Sequence, residues 1–83
     1  MDSSKRRVNE RKFEYWIDLP DGGRRYWYDV RGRLGWLARY VKDVDSEEET
    51  VRFYQEIYDD RGKLFEIHQK YPEDTGHQPA NKE

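Results

Sequence analysis

The sequence predicts an all-β domain built as a single antiparallel meander of about five strands. Leu, Ile, Val and Phe together supply only fifteen of the 83 residues, but 3 Trp, 7 Tyr and 3 Phe make the chain rich in rings. A net charge of −2 and this aromatic content are untypical of disordered chains, which have few rings and a high net charge. We therefore expect a folded domain whose core consists largely of aromatic side chains.

Glycine-containing turns and one acidic cluster, Ser46–Glu49, separate the predicted strands. Between these marks the chain is rich in aromatic and β-branched residues, which favour strands, and short connections between strands give antiparallel hairpins. The predicted strands cover residues 11–18, 24–30, 34–44, 50–58 and 63–71.

Both ends of the chain are polar and lack a hydrophobic period. Because such ends are usually poorly ordered, we expect residues 1–10 to be a disordered arm and residues 72–83 a disordered tail. The meander domain is then predicted over 11–71.

The predicted turns suggest the strand register. Asp29-Val30-Arg31-Gly32 and Asp59-Asp60-Arg61-Gly62 place Asp first and Gly fourth, which favours a type I turn followed by a left-handed glycine. Such a bulged loop in the last hairpin would set Tyr58 opposite Leu64 and Ile57 opposite Phe65. In the first hairpin, a two-residue turn at Asp21-Gly22 would pair Trp16 with Trp27 and Asp18 with Arg25. Leu19-Pro20-Asp21-Gly22, with Pro second and Gly fourth, also suits a type I turn, to which the two-residue turn is the alternative.

The two turn units repeat at a distance of 30 residues, as Tyr28-Asp29-x-Arg31-Gly32-Arg33-Leu34 and Tyr58-Asp59-x-Arg61-Gly62-Lys63-Leu64. This repeat resembles the tyrosine–aspartate repeat of Rhs-type β-shell proteins, in which such hairpins wind into large shells. Two copies are too few to build a shell, so the resemblance implies hairpins and no shared function.

One segment also fits a helix. Ser46-Glu47-Glu48-Glu49 is a capping-box signature, and the apolar residues from Val51 to Tyr58 fall on one side of a helical wheel. An α+β fold with a helix at 47–59 in place of the fourth strand is therefore the alternative to the all-β meander.

Charge is divided between the two halves of the chain. Residues 1–42 carry a net charge of +5 and residues 43–83 a net charge of −7. In the basic half, Arg residues alternate with rings, and exposed rings on a sheet can stack unpaired bases while Arg neutralises phosphate. The residues that would form this aromatic and basic binding face are Trp16, Arg24, Arg25, Trp27, Arg33, Trp36 and Arg39.

Signals for catalysis are sparse. The chain has no cysteine, which excludes disulfides and thiol chemistry, and its two histidines match no metal-ligand spacing, so we expect neither a metal nor a cofactor. Small β-rich toxins of the TumE type are similar in layout, with strands, a Tyr-Asp turn and histidines near the end. That resemblance implies an alternative site of Tyr58, Asp59, His68 and His77 in a toxin–antitoxin component with ribonuclease-like activity.

The leading prediction is a small, non-enzymatic protein-interaction module. A single sheet with rings on both faces leaves one face wet unless another surface covers it, and large exposed apolar patches mark interfaces. We therefore expect a homo-oligomer, or binding to another protein, through an aromatic sheet face, with single-stranded nucleic-acid binding as the alternative. No apolar run is long enough to span a membrane, and no signal peptide is evident, so the expected location is cytoplasmic.

Overall fold

A computed structural model describes residues 3–80 of the chain, and it is mostly β, with six antiparallel strands in one open sheet and a single short helix. The strand order β1-β2-β3-β4-β5-β6 follows the chain, so the predicted antiparallel meander is confirmed, with one strand more than expected. The elements are α1 Ser3–Lys12, β1 Tyr15–Asp18, β2 Arg24–Arg31, a 3₁₀ turn at Arg33–Gly35, β3 Leu37–Val44, β4 Thr50–Tyr58, β5 Leu64–Tyr71 and β6 Gly76–Pro79.

Both predicted disordered ends contain regular structure. Residues 3–10 of the expected arm belong to α1, and residues 76–79 of the expected tail form β6, which pairs with β5. The sequence does not predict α1 because polar contacts, and not an apolar stripe, attach this helix to the sheet. Its single large apolar residue, Val8, is exposed. Residues 1–2 and 81–83 lie outside the described part of the chain.

The alternative helix at 47–59 is wrong, because Thr50–Tyr58 is strand β4 and pairs with β3 and β5 on its two sides. The capping-box residues instead form the β3–β4 turn, where Glu49 O accepts a hydrogen bond from Asp45 N at 2.9 Å. Aromatic and β-branched residues in this segment favour the strand, and pairing on both sides satisfies its backbone.

Three of the hairpins share one turn geometry. In the turns Leu19–Gly23, Asp45–Glu49 and Asp59–Lys63, the first residue's N–H bonds to the fifth residue's carbonyl. The fourth residue has a positive φ, and its N–H bonds back to the first residue's carbonyl. This is the three-residue loop with a bulge, so the Asp59 turn is confirmed. The prediction of a turn at Asp29–Gly32 is wrong, because β2 continues to Arg31. The chain reverses instead over residues 32–36, where Leu34 and Gly35 have positive φ.

These turns correct the register predicted for two hairpins. The longer first loop pairs Trp16 with Tyr26 and Asp18 with Arg24, one residue away from the two-residue-turn prediction. In the last hairpin Tyr58 pairs with Leu64, as predicted. The register then shifts between Tyr58 and Ile57, so Ile57 pairs with Glu66 and not with Phe65. A one-residue shift moves a side chain to the other face, so these slips decide which rings are buried.

The sheet has two distinct faces. On the helix face, Phe13 follows α1 and packs on Tyr26 and Val44 to form the buried core, with Tyr28 and Phe53 partly buried against it. The residues that alternate with these along each strand point away from α1. Apart from α1 and the 3₁₀ turn, every element of the described chain lies within the sheet, so this second face, the open face, has no helix over it.

Candidate interaction face

The open face carries rings, aliphatic side chains and ion pairs. Register places its members in rows across the strands, because paired residues share a face. The residues that form its centre are Tyr15, Ile17, Arg25, Trp27, Asp29, Arg39, Val41, Asp43, Tyr54 and Glu56.

Two cross-strand ion pairs on β2 and β3 frame this centre. Arg25 lies opposite Asp43 and donates to it twice, with Nε–Oδ1 at 2.7 Å and a second nitrogen–oxygen contact at 3.0 Å. Arg39 binds Asp29 in the same two-pronged manner at 2.8 and 3.1 Å. Planar guanidinium groups match carboxylates in this geometry. The hydrogen bonds that each guanidinium donates to its carboxylate raise the pKa of Arg25 and of Arg39.

The four charges form a four-cornered array, about 5 Å across the strands and about 13 Å along them, with like charges on its diagonals. β2 carries Arg25 and Asp29 two residues on either side of Trp27, and β3 carries Asp43 and Arg39 on either side of Val41. Because the strands are antiparallel, each Arg faces an Asp both across the sheet and along its own strand. We call these four residues the charge square; Trp27 and its partner Val41 occupy its middle.

The middle of the square is apolar. Val41 and Tyr54 are buried although they lie on the face away from α1, and they border a hollow of about 240 Å³ together with Ile17, Trp27 and the arginines. Tyr15 stacks on Trp27 with ring centroids 5.7 Å apart. At the edge of the sheet, Tyr15 and Ile17 remain about half exposed.

The predicted aromatic and basic binding face is divided by the fold. Arg25, Trp27 and Arg39 lie on the open face, whereas Trp16 and Arg24 lie on the helix face. Arg24 is buried, where its guanidinium binds Glu10 of α1 and Asp18 of β1 and lies over the Trp16 ring. It is therefore part of the attachment of the helix to the sheet.

The other two members of that predicted face are in the β2–β3 connection. Arg33 is exposed within the 3₁₀ turn, and Trp36 follows it and meets Phe65 of β5 edge to face, with centroids 5.0 Å apart. The seven residues thus occupy three separate places.

The alternative toxin-like site is also divided. Tyr58 and Asp59 lie at the β4–β5 turn, where Asp59 accepts backbone hydrogen bonds from Lys63 and Arg61 that lower its pKa. His68 and His77, in contrast, lie directly opposite each other on β5 and β6, with ring centroids 4.5 Å apart. The register brings the histidine pair together although nine residues separate the two in sequence.

Sequence reasoning missed a buried polar cluster under α1. The Glu48 carboxylate accepts hydrogen bonds from the Tyr26 hydroxyl, Asn9 Nδ2 at 3.1 Å and Arg6 Nε at 3.3 Å. Asn9 Oδ1 in turn accepts a bond from Lys42 Nζ at 2.9 Å. The one available signal was the position of Glu48, which occupies the turn site that holds glycine in the two equivalent turns.

Burial and hydrogen bonding shift the pKa values in this cluster. Burial, then the Glu48 contact, raises the pKa of Tyr26 to about 12. Burial would raise the pKa of Glu48, but the hydrogen bonds from Tyr26, Asn9 and Arg6 outweigh it and lower that pKa. Burial, with repulsion from Lys12, lowers the pKa of Lys42. These groups bind one another and fix α1 on the sheet.

Comparison with known proteins gives no relative: no protein-family model, curated protein or solved structure matches the chain. Among residues 3–80, no helix is long and apolar enough to cross a membrane.

Proposed function

We propose that this chain is a small non-enzymatic interaction module that associates with a second copy of itself through the open face. The charge square carries this proposal, because its pattern is complementary to itself. Consider a two-fold axis that lies in the plane of the interface, passes through the centre of the charge square and runs along the strands. Rotation about this axis sets Arg25 of one copy over Asp43 of the other. The same rotation sets Asp29 over the second copy's Arg39.

An axis across the strands gives an equivalent result. It sets Arg25 over the second copy's Asp29 and Arg39 over its Asp43. Either isologous arrangement places opposite charges against each other at all four corners. It also brings the two Trp27 rings, each beside the already buried Val41, to the middle of the contact. A buried apolar middle within a polar rim is the usual anatomy of a protein interface.

The composition of the face favours protein over nucleic acid as the partner. Tyr, Trp and Arg are the residues enriched in interface hot spots, and Tyr15, Trp27 and Tyr54 lie here beside Arg25 and Arg39. Phosphate binding relies on unpaired cations, but Asp43 and Asp29 neutralise both of these arginines. Single-stranded nucleic-acid binding therefore enters as a contrary outcome of the test below.

The proposal is tested by light scattering on the full chain and on two matched variants. Ile17 on the open face is 48% exposed and Val30 on the helix face is 47% exposed, so both sites tolerate a charge equally well in the folded monomer. We expect the wild type and Val30→Glu to be dimeric at tens of micromolar, and Ile17→Glu to be monomeric with unchanged circular dichroism.

Three results would overturn this function. A wild-type chain that stays monomeric at those concentrations contradicts self-association. Loss of dimer in Val30→Glu but not in Ile17→Glu places the interface on the other face. If the monomer instead binds single-stranded DNA with a steep salt dependence, the nucleic-acid alternative replaces this proposal. The proposed place of action is the cytoplasm, as expected from the sequence.

A further inference from the structure

We propose that His68 and His77 form a cross-strand site for a divalent transition-metal ion such as Zn²⁺ or Cu²⁺. The two residues are register partners on β5 and β6, and their rings meet at 4.5 Å between centroids with 58° between planes. Neither residue belongs to the open face, so this site is independent of the proposed self-association.

Asp74 sets the tautomer of His68. Its Oδ1 lies 2.6 Å from His68 Nε2 and also accepts a 2.9 Å hydrogen bond from Gly76 N, which holds the carboxylate in place. A carboxylate oxygen accepts, so Nε2 carries the proton of this hydrogen bond. The lone pair of the imidazole is then on Nδ1.

His68 Nδ1 is a buried nitrogen that has no hydrogen-bond partner in the described structure. A buried polar atom usually has a hydrogen-bond partner. The lone pair of Nδ1 has none here and can therefore bind a metal ion. Metal-bound histidines typically donate their other ring N–H to a carboxylate, which orients the ring and makes the ligand more basic. Asp74 and His68 already have that arrangement.

His77 also lies near a carboxylate, that of Glu66, although beyond hydrogen-bond distance. Its Nδ1 lies 3.8 Å from Glu66 Oε2, so the carboxylate is close to that nitrogen and Nε2 is left for a ligand. The His77 side chain is half exposed, which leaves it room to turn towards an ion. Two imidazoles bound to one tetrahedral Zn²⁺ have ring centroids roughly 5 Å apart, close to the spacing already present.

The ligand type selects the metal. Imidazole nitrogen suits Zn²⁺, Cu²⁺ and Ni²⁺, whereas Mg²⁺ and Ca²⁺ require oxygen ligands. No group of three or more His, Cys, Asp or Glu side chains in residues 3–80 is placed to hold an ion. The chain therefore supplies two ligands, water completes the coordination, and Cu²⁺ should bind more tightly than Zn²⁺.

The test is a calorimetric titration of the full chain with Zn²⁺, and separately with Cu²⁺ and Mg²⁺. We expect one Zn²⁺ or Cu²⁺ per chain, no binding of Mg²⁺, and at least a tenfold loss of affinity in His68→Ala and in His77→Ala. Because these are the only histidines in the sequence, NMR of their ring C–H groups should show both resonances shifting with Zn²⁺.

A matched pair of variants separates the positioning role of Asp74 from a general effect of negative charge. Asp74→Asn should reduce the affinity for Zn²⁺ about 10–100-fold, while Glu73→Gln, one residue away and also exposed, should leave it unchanged. The proposal is overturned if the wild type shows no saturable binding at one ion per chain, or if His77→Ala binds Zn²⁺ as the wild type does. Repeating the titration on Ile17→Glu keeps this result separate from the outcome of the association test.

Discussion

The Tyr26 hydroxyl donates a hydrogen bond to the buried carboxylate of Glu48, and this contact fixes the β3–β4 turn to the first half of β2. Glu48 holds the backbone at φ 68°, in the left-handed region, where the equivalent turns have Gly22 and Gly62. A side chain in this conformation is strained by about 1–2 kcal/mol. The hydrogen bonds from Tyr26, Asn9 and Arg6 compensate for that strain and attach α1 to the sheet.

Replacement of Glu48 should separate the two effects. Glu48→Ala leaves the buried Tyr26 hydroxyl and Asn9 amide without an acceptor, and each orphaned group costs about 1–3 kcal/mol. Glu48→Gly loses the same contacts but relieves the backbone, so it should be roughly 1 kcal/mol more stable than Glu48→Ala. Urea denaturation measures both; equal stability of Glu48→Ala and the wild type would contradict the role of this carboxylate.

The lowered pKa of Glu48 predicts acid sensitivity. Its native pKa is below the unfolded value of about 4.3, so its contribution to stability is complete above that pH. As the pH falls further, the unfolded chain takes up the proton first, and the contribution disappears as the pH passes through the native pKa. Between the unfolded and the native pKa of Glu48, the stability of Glu48→Gln should therefore depend less steeply on pH than that of the wild type. The exposed neighbour variant Glu47→Gln should keep the wild-type dependence.

Phe13 should be essential for stability even though it lies next to a segment that the sequence marks as a disordered arm. Its side chain is 2% exposed and packs on Tyr26 and Tyr28, with centroids 5.6 and 5.4 Å away. Phe13→Ala should cost about 3–5 kcal/mol. Phe65, 52% exposed, is the matched control, and Phe65→Ala should cost about 1 kcal/mol in the same denaturation experiment. Equal losses would mean that α1 does not seal the core.

The sequence predicted the meander because turn residues and β-branched runs are local signals. The Asp59 turn was predictable, since Asp and Gly occupy the positions that its backbone requires. The Asp29 turn has the same letters but lies within β2, where Asp29 instead binds Arg39 on β3. A cross-strand contact thus overrides a local preference, and single-sequence reasoning cannot weigh the two.

The candidate sites depended on register, which the sequence left uncertain. The slip of one residue in the first hairpin pairs Trp16 with Tyr26 and so places it on the face opposite to Trp27. Arg24 and Arg25 lie on opposite faces in any register, because successive residues of a strand alternate. The helix was missed for a different reason: Asn9 and Glu10 attach it through polar contacts, and such contacts leave no hydrophobic period. The proximity of His68 and His77 could not be predicted, because it depends on the pairing of β5 with β6, a strand that the sequence does not indicate.

Inverting all four charges of the charge square is the sharpest test of its proposed role in self-association. In Arg25→Asp/Asp29→Arg/Arg39→Asp/Asp43→Arg the in-sheet pairs survive and the pattern is again complementary to itself. Under either two-fold axis, however, every inverted residue meets a like charge on a wild-type copy, and such repulsion enforces specificity. The measurement is native mass spectrometry of the two chains mixed, one of them isotopically labelled. Self-association through the charge square predicts two homodimers with almost no mixed dimer; mixed dimers in statistical proportion would contradict this role of the four residues.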